Sequence, residues 1–590
     1  MLKKHANLIV ILILASVLVV SLIVSRQEST TMDEKAHIPA GYSYLKYHDM
    51  RLNPEHPPFL KDLTGIPLQF MKLEFPTNSN EWQNGINEQW TLGNIFIHSN
   101  NADAITFWSR LPIILVALLL GFFIYKWTRE IAGTAAGLFA LILYAADPNV
   151  LGHNHYVTTD LGIAAFIFIA FYFFIKFLKK PTWKNVLLAG IFLSLAELAK
   201  FSGVLLFPIF TLTAVIYAIF KKVDPNKSKI REIGEYAGKY ILVIVICFIS
   251  IWILYQYNTF NMPPDKIQDV ARTVFGDTGS GKIAKSVVIQ MSTLPYLKGM
   301  SEYFLGVFMV FVRVTGGNTY YFLGEVSNHA NRSYFPVIFL LKETLAMLIL
   351  TFFSLFYSMY RTLKNIFSGN QEFFITNIWE KLKIYLRSSV TQYSMLAFIL
   401  LYVYLSVTGN LNIGFRHLFP VLPFVYVLVS KIIFDASKKI NSEITKKTLG
   451  IILVLFCIWI ILEPVIAFPS YISYYNEIAG GHLNGYKYAT DSNTDWGQDL
   501  KRLNNWVKVN NIDKIRIDYF GGASPEYYLG NKFIPWHANL NPEPGWYAIS
   551  AGFLQESIYK EKNPGDKSYE WTLKYQPIRI GDSIFVYHVL

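Results

Sequence analysis

Three stretches of the sequence carry the residue types that proton transfer requires. The first is Thr31-Met32-Asp33-Glu34-Lys35-Ala36-His37, directly after an N-terminal apolar run. Paired carboxylates at a membrane surface suit general-base chemistry, because an ionised Asp with an ordinary pKa of about 3.9 accepts a proton from a hydroxyl nucleophile. Acids are equally favoured in the first turn of a solvated helix, so residue type alone leaves both readings open for Asp33 and Glu34, with His37 beside them. The second is Asn53-Pro54-Glu55-His56-Pro57-Pro58-Phe59-Leu60-Lys61. Its prolines read as a structural turn before Leu63–Met71, which resembles a helix lying on a membrane; Glu55 and His56 are candidate substrate contacts. The third runs from Asp147 through His153 and His155 to Asp160. Asp160 opens an apolar run, either as a helix-dipole acid or as a second carboxylate facing the Asp33 loop. His153, His155 and Asp160 raise the question of a divalent metal, but histidines one residue apart point to opposite sides of an extended chain. No cofactor is expected to be required.

Basic residues stand where lipid head groups would be. Lys200 lies between two apolar runs, close to Glu197, and an ionisable residue at such a depth is a candidate for function, with snorkelling or pairing to Glu197 as the plain alternative. Arg416-His417 begins another run on the same expected face, and Arg313 is followed by Glu325 and His329. Together these cations are what a phosphate-linked lipid would need, holding the phosphate and stabilising its charge as it leaves. In the tail, Asp491-Ser492-Asn493-Thr494-Asp495-Trp496-Gly497-Gln498-Asp499 imitates half a calcium loop, but it has Trp496 where the turn glycine belongs and Arg502 where the last acid belongs. Capping of the following helix is the expected role.

These residues need a membrane scaffold to position them. The 590 residues are 53% hydrophobic and 16% charged, which does not describe a soluble chain. Eleven apolar runs are long enough, or nearly so, to cross a bilayer as helices: about 7–24, 108–126, 132–147, 160–178, 185–199, 202–220, 240–256, 334–360, 392–408, 415–435 and 448–468. The first follows Lys3 and Lys4, lacks a clear cleavage site and reads as a retained anchor. With the N-terminus inside, alternate connections hold 24 basic residues against eight acids, and the short outer connections 148–159 and 409–414 hold no Lys or Arg. The net charge of +12 is thus an orientation signal, since the rest of the chain has 29 bases against 33 acids, and nucleic acid drops out as a partner. Cys247 and Cys457 both fall in apolar runs, which excludes a disulfide framework.

Three large pieces then lie outside: 25–107, 257–333 and 469–590. The tail reads as a small α/β domain, with a helix at Asp499–Val509, strands at Lys514–Phe520, Gly545–Ser550 and Ser583–Val589, and turns at Gly521-Gly522 and Asn541-Pro542. The expected fold is a polytopic α-helical membrane protein of about eleven spans, divided into a transmembrane catalytic domain, 1–468, and an extracytoplasmic α/β domain, 469–590. A bacterial cytoplasmic membrane is the expected location.

An anchor helix followed by Asp33-Glu34-x-x-His37, then Pro54-Glu55-His56-Pro57-Pro58, a second outer Asp and many helices resembles the GT-C glycosyltransferases, specifically the protein O-mannosyltransferase-like, phospholipid-carrier-dependent group. The resemblance spans roughly 30–425, and Tyr475-Asn476-Glu477-Ile478-Ala479-Gly480-Gly481 looks like the tail of bacterial relatives. It implies hexosyl transfer from a polyprenyl-phosphate carrier to an acceptor protein, lipid or glycan on the outer face. Asp33 would be the base, Glu34 a support for it or for the acceptor and Asp160 a second carboxylate, with Lys200 and Arg416 at the phosphate. The tail departs from the luminal domain of eukaryotic members, which leaves the acceptor open. Two other classes fit less well: a lipid-linked sugar flippase, for which no internal repeat is found, and a glycan-binding assembly protein.

Overall fold

Apolar segments in lipid must satisfy their own backbone groups, and the helix does so within one segment. The computed structural model describes residues 2–221, 228–367 and 374–590. Among the described residues, eight helices are long and apolar enough to cross a membrane: Lys3–Gln27, Ala102–Ala132, Asp160–Lys179, Phe201–Phe220, Lys229–Asn258, Leu345–Lys364, Val390–Thr408 and Glu443–Ala467. The protein is an integral membrane protein. The other three expected runs are helical but shorter: Thr134–Ala145, Trp183–Ala199 and Leu422–Ser437. Lys222, Asp224, Lys227 and Glu372, which entered the charge count, lie outside the described residues.

Asp160–Lys179 is the central helix. It is apolar on every side, as a helix enclosed by others must be, and 89% of its apolar stretch is buried, against 17% for Lys229–Asn258 and for Glu443–Ala467. Its far end gathers the basic connections: Lys179 donates to Thr391, Lys239 to the carbonyl of Pro181, and Arg387 to that of Phe220. Asp160 stands at the opposite end, about 30 Å away at 1.5 Å per residue.

The run 334–360 is not one helix, contrary to the expectation. It breaks into Tyr334–Lys342 and Leu345–Phe367. The break exposes carbonyls that the tail uses: Asn476 donates from its backbone to Leu341 and from its side chain to Leu340 and Glu343. Lys342 is fully buried and donates to the carbonyls of Ile472 and Asn493, at 2.9 and 2.6 Å. A sequence window scores the apolar run and is blind to a polar partner more than a hundred residues away.

The connections on the Asp160 side contain their own elements. A hairpin, β1 (Tyr320–Phe322) and β2 (Glu325–Ser327), pairs antiparallel. The tail forms a five-stranded mixed sheet of β3 (Ile515–Asp518), β4 (Phe533–Pro535), β5 (Gly545–Ser550), β6 (Ile578–Ile580) and β7 (Ile584–Val589), in the order β4-β3-β5-β7-β6. Alternate residues of β5 and β7 face opposite sides. Ala548 and Val586 pack with Leu500, Leu503 and Val507 of the helix Leu500–Val509. Tyr547, Ile549, Phe585 and Tyr587 pack with Leu554 of the helix Ala551–Tyr559 on the other side.

Two glycines set the approach of the stretch 53–61 to the Asp33 helix. A methyl group on Gly41 would stand 2.1 Å from the carbonyl oxygen of Lys61, and one on Gly65 would stand 2.4 Å from that of Gly41. The helices Glu34–Tyr47 and Phe59–Gly65 therefore meet backbone to backbone. Gly41→Ala is expected to destabilise the protein by about 1–3 kcal/mol through overpacking, read as a lowered melting temperature in detergent; an unchanged melting temperature would show that the crossing has room.

Candidate active site

The Asp33 loop is held by a buried ion pair. After the helix Leu2–Gln27 the chain turns into the helix Glu34–Tyr47. Glu34 accepts from Arg110 Nε and Nη2 at 2.8 and 2.7 Å, from the backbone N–H groups of Thr31 and Val157, and from the Thr31 hydroxyl. Both side chains are fully buried. Arg110 also donates to the carbonyls of Ser25, Glu28 and Ser29. Glu34 thus points away from the cavity that Asp33 enters, and its carboxylate is already committed. It positions the loop, where the sequence suggested a catalytic group supporting the base or the acceptor. Close by, Glu28 accepts from His155 Nε2 at 2.8 Å and from the Tyr156 hydroxyl at 2.7 Å.

Asp33 sits at the start of its helix, yet its side chain makes no capping hydrogen bond. Arg416 Nη1 instead donates to Asp33 at 2.7 Å and to Asp160 at 3.1 Å. Lys200 donates to the other oxygen of Asp160 at 2.7 Å. Lys200 therefore pairs with Asp160 and not with Glu197. The Arg416 guanidinium lies over the ring of Trp496, 4.0 Å from its centroid, a contact that favours the cation in this orientation. Asp33 keeps 29% of its side-chain surface exposed and Asp160 only 3%, so Asp33 is the carboxylate that a second molecule can reach.

These groups line a cavity of ≈ 130 Å³ with His37, Glu55, His56, Arg313 and His417, closed on the apolar side by Trp90, Val310, Val314, Leu411 and Ile413. Nine of the eleven residues singled out in the sequence are thereby brought together; Glu34 and His329 are not. His329 is exposed on the loop after β2, where its carbonyl accepts from the Tyr320 hydroxyl. The imidazoles of His37 and His56 are 5.1 Å apart. Three carboxylates, Asp33, Glu55 and Asp160, face three cations, Lys200, Arg313 and Arg416.

Lys61 closes the stretch that carries Glu55 and His56. It is fully buried, and its ammonium donates to the carbonyls of Asn53 and His56, the amide oxygen of Asn53 and the Tyr44 hydroxyl. This fixes the Glu55-His56 turn from beneath. Burial lowers the ammonium to about 7, countered by Glu55, Asp62 and Glu302. Glu55 is oriented by Gln89 at 2.6 Å. No sequence signal singles out Lys61, since most of its partners are carbonyl oxygens. His153 and His155 take separate places: His153 packs against Tyr156, Phe419 and Trp496, while His155 binds Glu28. In the tail, Asp499 does not cap its helix as expected. Its carboxylate accepts from the Ser583 hydroxyl, and the first helical N–H, that of Leu500, donates to Ser29.

Residues 97–253 match the family model described as dolichyl-phosphate-mannose-protein mannosyltransferase. This part of the chain is mannosyltransferase-like. The mannosyltransferase-like span is narrower than the motifs suggested; it contains Arg110, Asp160 and Lys200, while Asp33 and Arg416 lie on either side of it. No curated protein matches the sequence. Among solved structures, the chain is similar to ArnT from Cupriavidus metallidurans bound to undecaprenyl phosphate, at 11% identity over 98% of this chain and 97% of that chain, with a TM-score of 0.43. It is similar also to the archaeal oligosaccharyltransferase AglB from Archaeoglobus fulgidus in complex with an inhibitory peptide and a dolichol-phosphate, at 13% identity over 98% and 73% of the two chains, TM-score 0.45. The S. cerevisiae protein O-mannosyltransferase Pmt1-Pmt2 complex bound to the sugar donor matches at 17% identity over 44% and 34%, TM-score 0.31.

Two outcomes are expected. Glu34→Ala leaves Arg110 as an uncompensated buried charge and costs about 3–5 kcal/mol, seen as a large drop in melting temperature; a drop no greater than that of a surface Glu→Ala control would contradict the positioning role. His37 is pushed down to about 3, by burial first and by Lys61 next, against the pull of Asp33 and Asp160. Its imidazole should stay neutral throughout pH 5–8, and a ring-nitrogen chemical shift that titrates within that window would contradict this.

Proposed function

We propose that the chain is a glycosyltransferase that moves a hexose from a polyprenyl-phosphate carrier to an acceptor hydroxyl, on the extracytoplasmic face, by a single displacement. The observation that carries this reading is the bridge from Arg416 to both Asp33 and Asp160, in a cavity that also holds Lys200 and Arg313. The mannosyltransferase-like span supports a lipid-phosphate donor. So does the surface around Arg313, where Phe311, Val312 and Val314 are exposed beside the cation, a setting for a lipid chain next to its phosphate. The gathering of basic connections at the end of the bundle remote from Asp160 supports an extracytoplasmic site.

The chemistry follows from charge balance. The acceptor oxygen attacks the anomeric carbon and its proton passes to Asp33, while the bond from that carbon to the phosphate oxygen breaks and the electron pair leaves with the phosphate. Asp33 loses its negative charge as the phosphate gains its second. Arg416, paired with Asp33 beforehand, is then released to the leaving group, with Lys200 and Arg313 beside it. One displacement inverts the anomeric centre. Lys200 and Asp160 remain paired, so the cation field keeps its geometry as the proton moves.

Asp33→Asn is expected to lower transfer by about 10²–10⁴-fold, the usual contribution of a general base, with insertion and melting temperature unchanged. The measurement is release of labelled hexose from its polyprenyl-phosphate carrier in proteoliposomes. Near-normal transfer by the variant would sink the assignment. Movement of the intact labelled carrier between leaflets, without release, would point to a flippase instead.

A further inference from the structure

We propose that a second cavity, set back to back with the first, binds the acceptor and that the acceptor is a saccharide. This rests on the glycosyltransferase reading and names the substrate of its other half. The cavity has a volume of ≈ 250 Å³ and is lined by Tyr320, Tyr334, Phe520, Phe553, Asp491 and Glu556, among others. It thus draws on the β1–β2 hairpin, a membrane-side helix and the tail. The two cavities share one wall: Leu411 and Ile413 face the first, and Asn412 between them lines the second. The charges of Arg416 and Asp33 both act on Asp491, so the second cavity lies within electrostatic reach of the base.

Its chemistry is that of a site for a ring with an apolar face and a hydroxyl edge. Phe520 and Phe553, both part-exposed and edge to face at 5.9 Å, supply the aromatic surface, and the buried pair Tyr320 and Tyr334, 5.6 Å apart, backs the opposite wall. Among the polar groups, Asp491 and Glu556 are carboxylates that only accept, and the others are hydroxyls and the Asn412 amide. Glu556 is half-buried, and no hydrogen bond reaches its carboxylate among the described residues. Asp491 is held at a positive φ of 55°. Burial, and then Asp491 itself, raise the Glu556 carboxyl above its ordinary range. Asp491 already accepts from the backbone N–H of Ser492 and feels the charge of Arg416, so Glu556 is the carboxylate that calls for a hydrogen-bond donor from a ligand. The volume lies below that of pockets for drug-sized ligands, which fits one small ring and not an extended peptide. Hydroxyl donors are favoured over an ammonium group because the first cavity needs a hydroxyl nucleophile beside it.

Saturation-transfer NMR on the full-length protein in nanodiscs tests this, with methyl β-glucopyranoside, methyl α-mannopyranoside and tetramethylammonium as separate probes. Saturation of the ring protons of a methyl glycoside is expected in the native protein and in Asp33→Asn. It should be lost in Phe553→Ala and in the isosteric Glu556→Gln. The same two variants should raise the KM for transfer to that glycoside by about tenfold and leave the KM for the labelled carrier unchanged. Binding of tetramethylammonium alone, saturation of neither glycoside, or saturation indifferent to both cavity variants would overturn the saccharide assignment. No release of labelled hexose from its carrier by the native protein would overturn the glycosyltransferase reading and leave the binding result to stand by itself.

Discussion

The pair of Glu34 and Arg110, both without solvent access, is the constraint from which the site's geometry follows. Arg110 belongs to a membrane helix, and Glu34 to the first turn of the helix that Asp33 precedes. Through its remaining lone pairs Glu34 also takes the N–H of Val157, three residues before Asp160. One carboxylate therefore ties the two acidic stretches of the cavity to the same rigid helix. A buried ion pair contributes little net stability relative to an apolar substitute, because desolvation offsets the attraction. Its value here is specificity of position: with every polar atom satisfied, the pair admits one arrangement of the loop.

The cations answer that arrangement. Arg416 reaches Asp33 and Asp160 with one nitrogen, and Lys200 takes the other oxygen of Asp160. Asp160 is thus a fixed counter-charge with almost no exposure, while Asp33 shares its cation and remains open. Two carboxylates a short distance apart are divided into a structural one and a reactive one by burial and by partner count, with no difference in residue type. The neutral His37 and His56 add donors and acceptors without disturbing a balance of three negative and three positive groups.

Much of this was legible in the sequence because it rests on local pattern. Apolar runs announce helices, Asp33 and Asp160 follow or begin such runs, and Lys200 is conspicuous as a charge between two of them. What escaped was set by distant contact. Glu34 and Asp33 are adjacent acids, and only the presence of Arg110 beneath the loop turns one inward. Half of the partners of Lys61 are backbone carbonyls, which every residue has. The run 334–360 reads as one helix until Asn476 and Lys342 are seen to require a break. Trp496 occupied the wrong position of a calcium-like loop, and its use was to lie under Arg416.

That last contact shows why the tail is part of the site and not an appendage. The N–H groups of Ser29 and Met32 donate to the carbonyls of Gln498 and Trp496, so the tail templates the loop on either side of the Thr31 contact with Glu34. At Gly522 a methyl group would stand 2.1 Å from the carbonyl oxygen of Thr31, so the segment just beyond β3 touches the loop backbone as well. Lys342 carries the same tail segment on the membrane side through the carbonyls of Ile472 and Asn493. The loop that presents Asp33 is consequently clamped between Arg110 in the bundle and a tail that is itself bolted to the bundle. A shift of the tail would move Trp496, with it Arg416, and so change the charge next to Asp33. Any acceptor that seats against the tail therefore does so on the same element that orients the cation paired with the base.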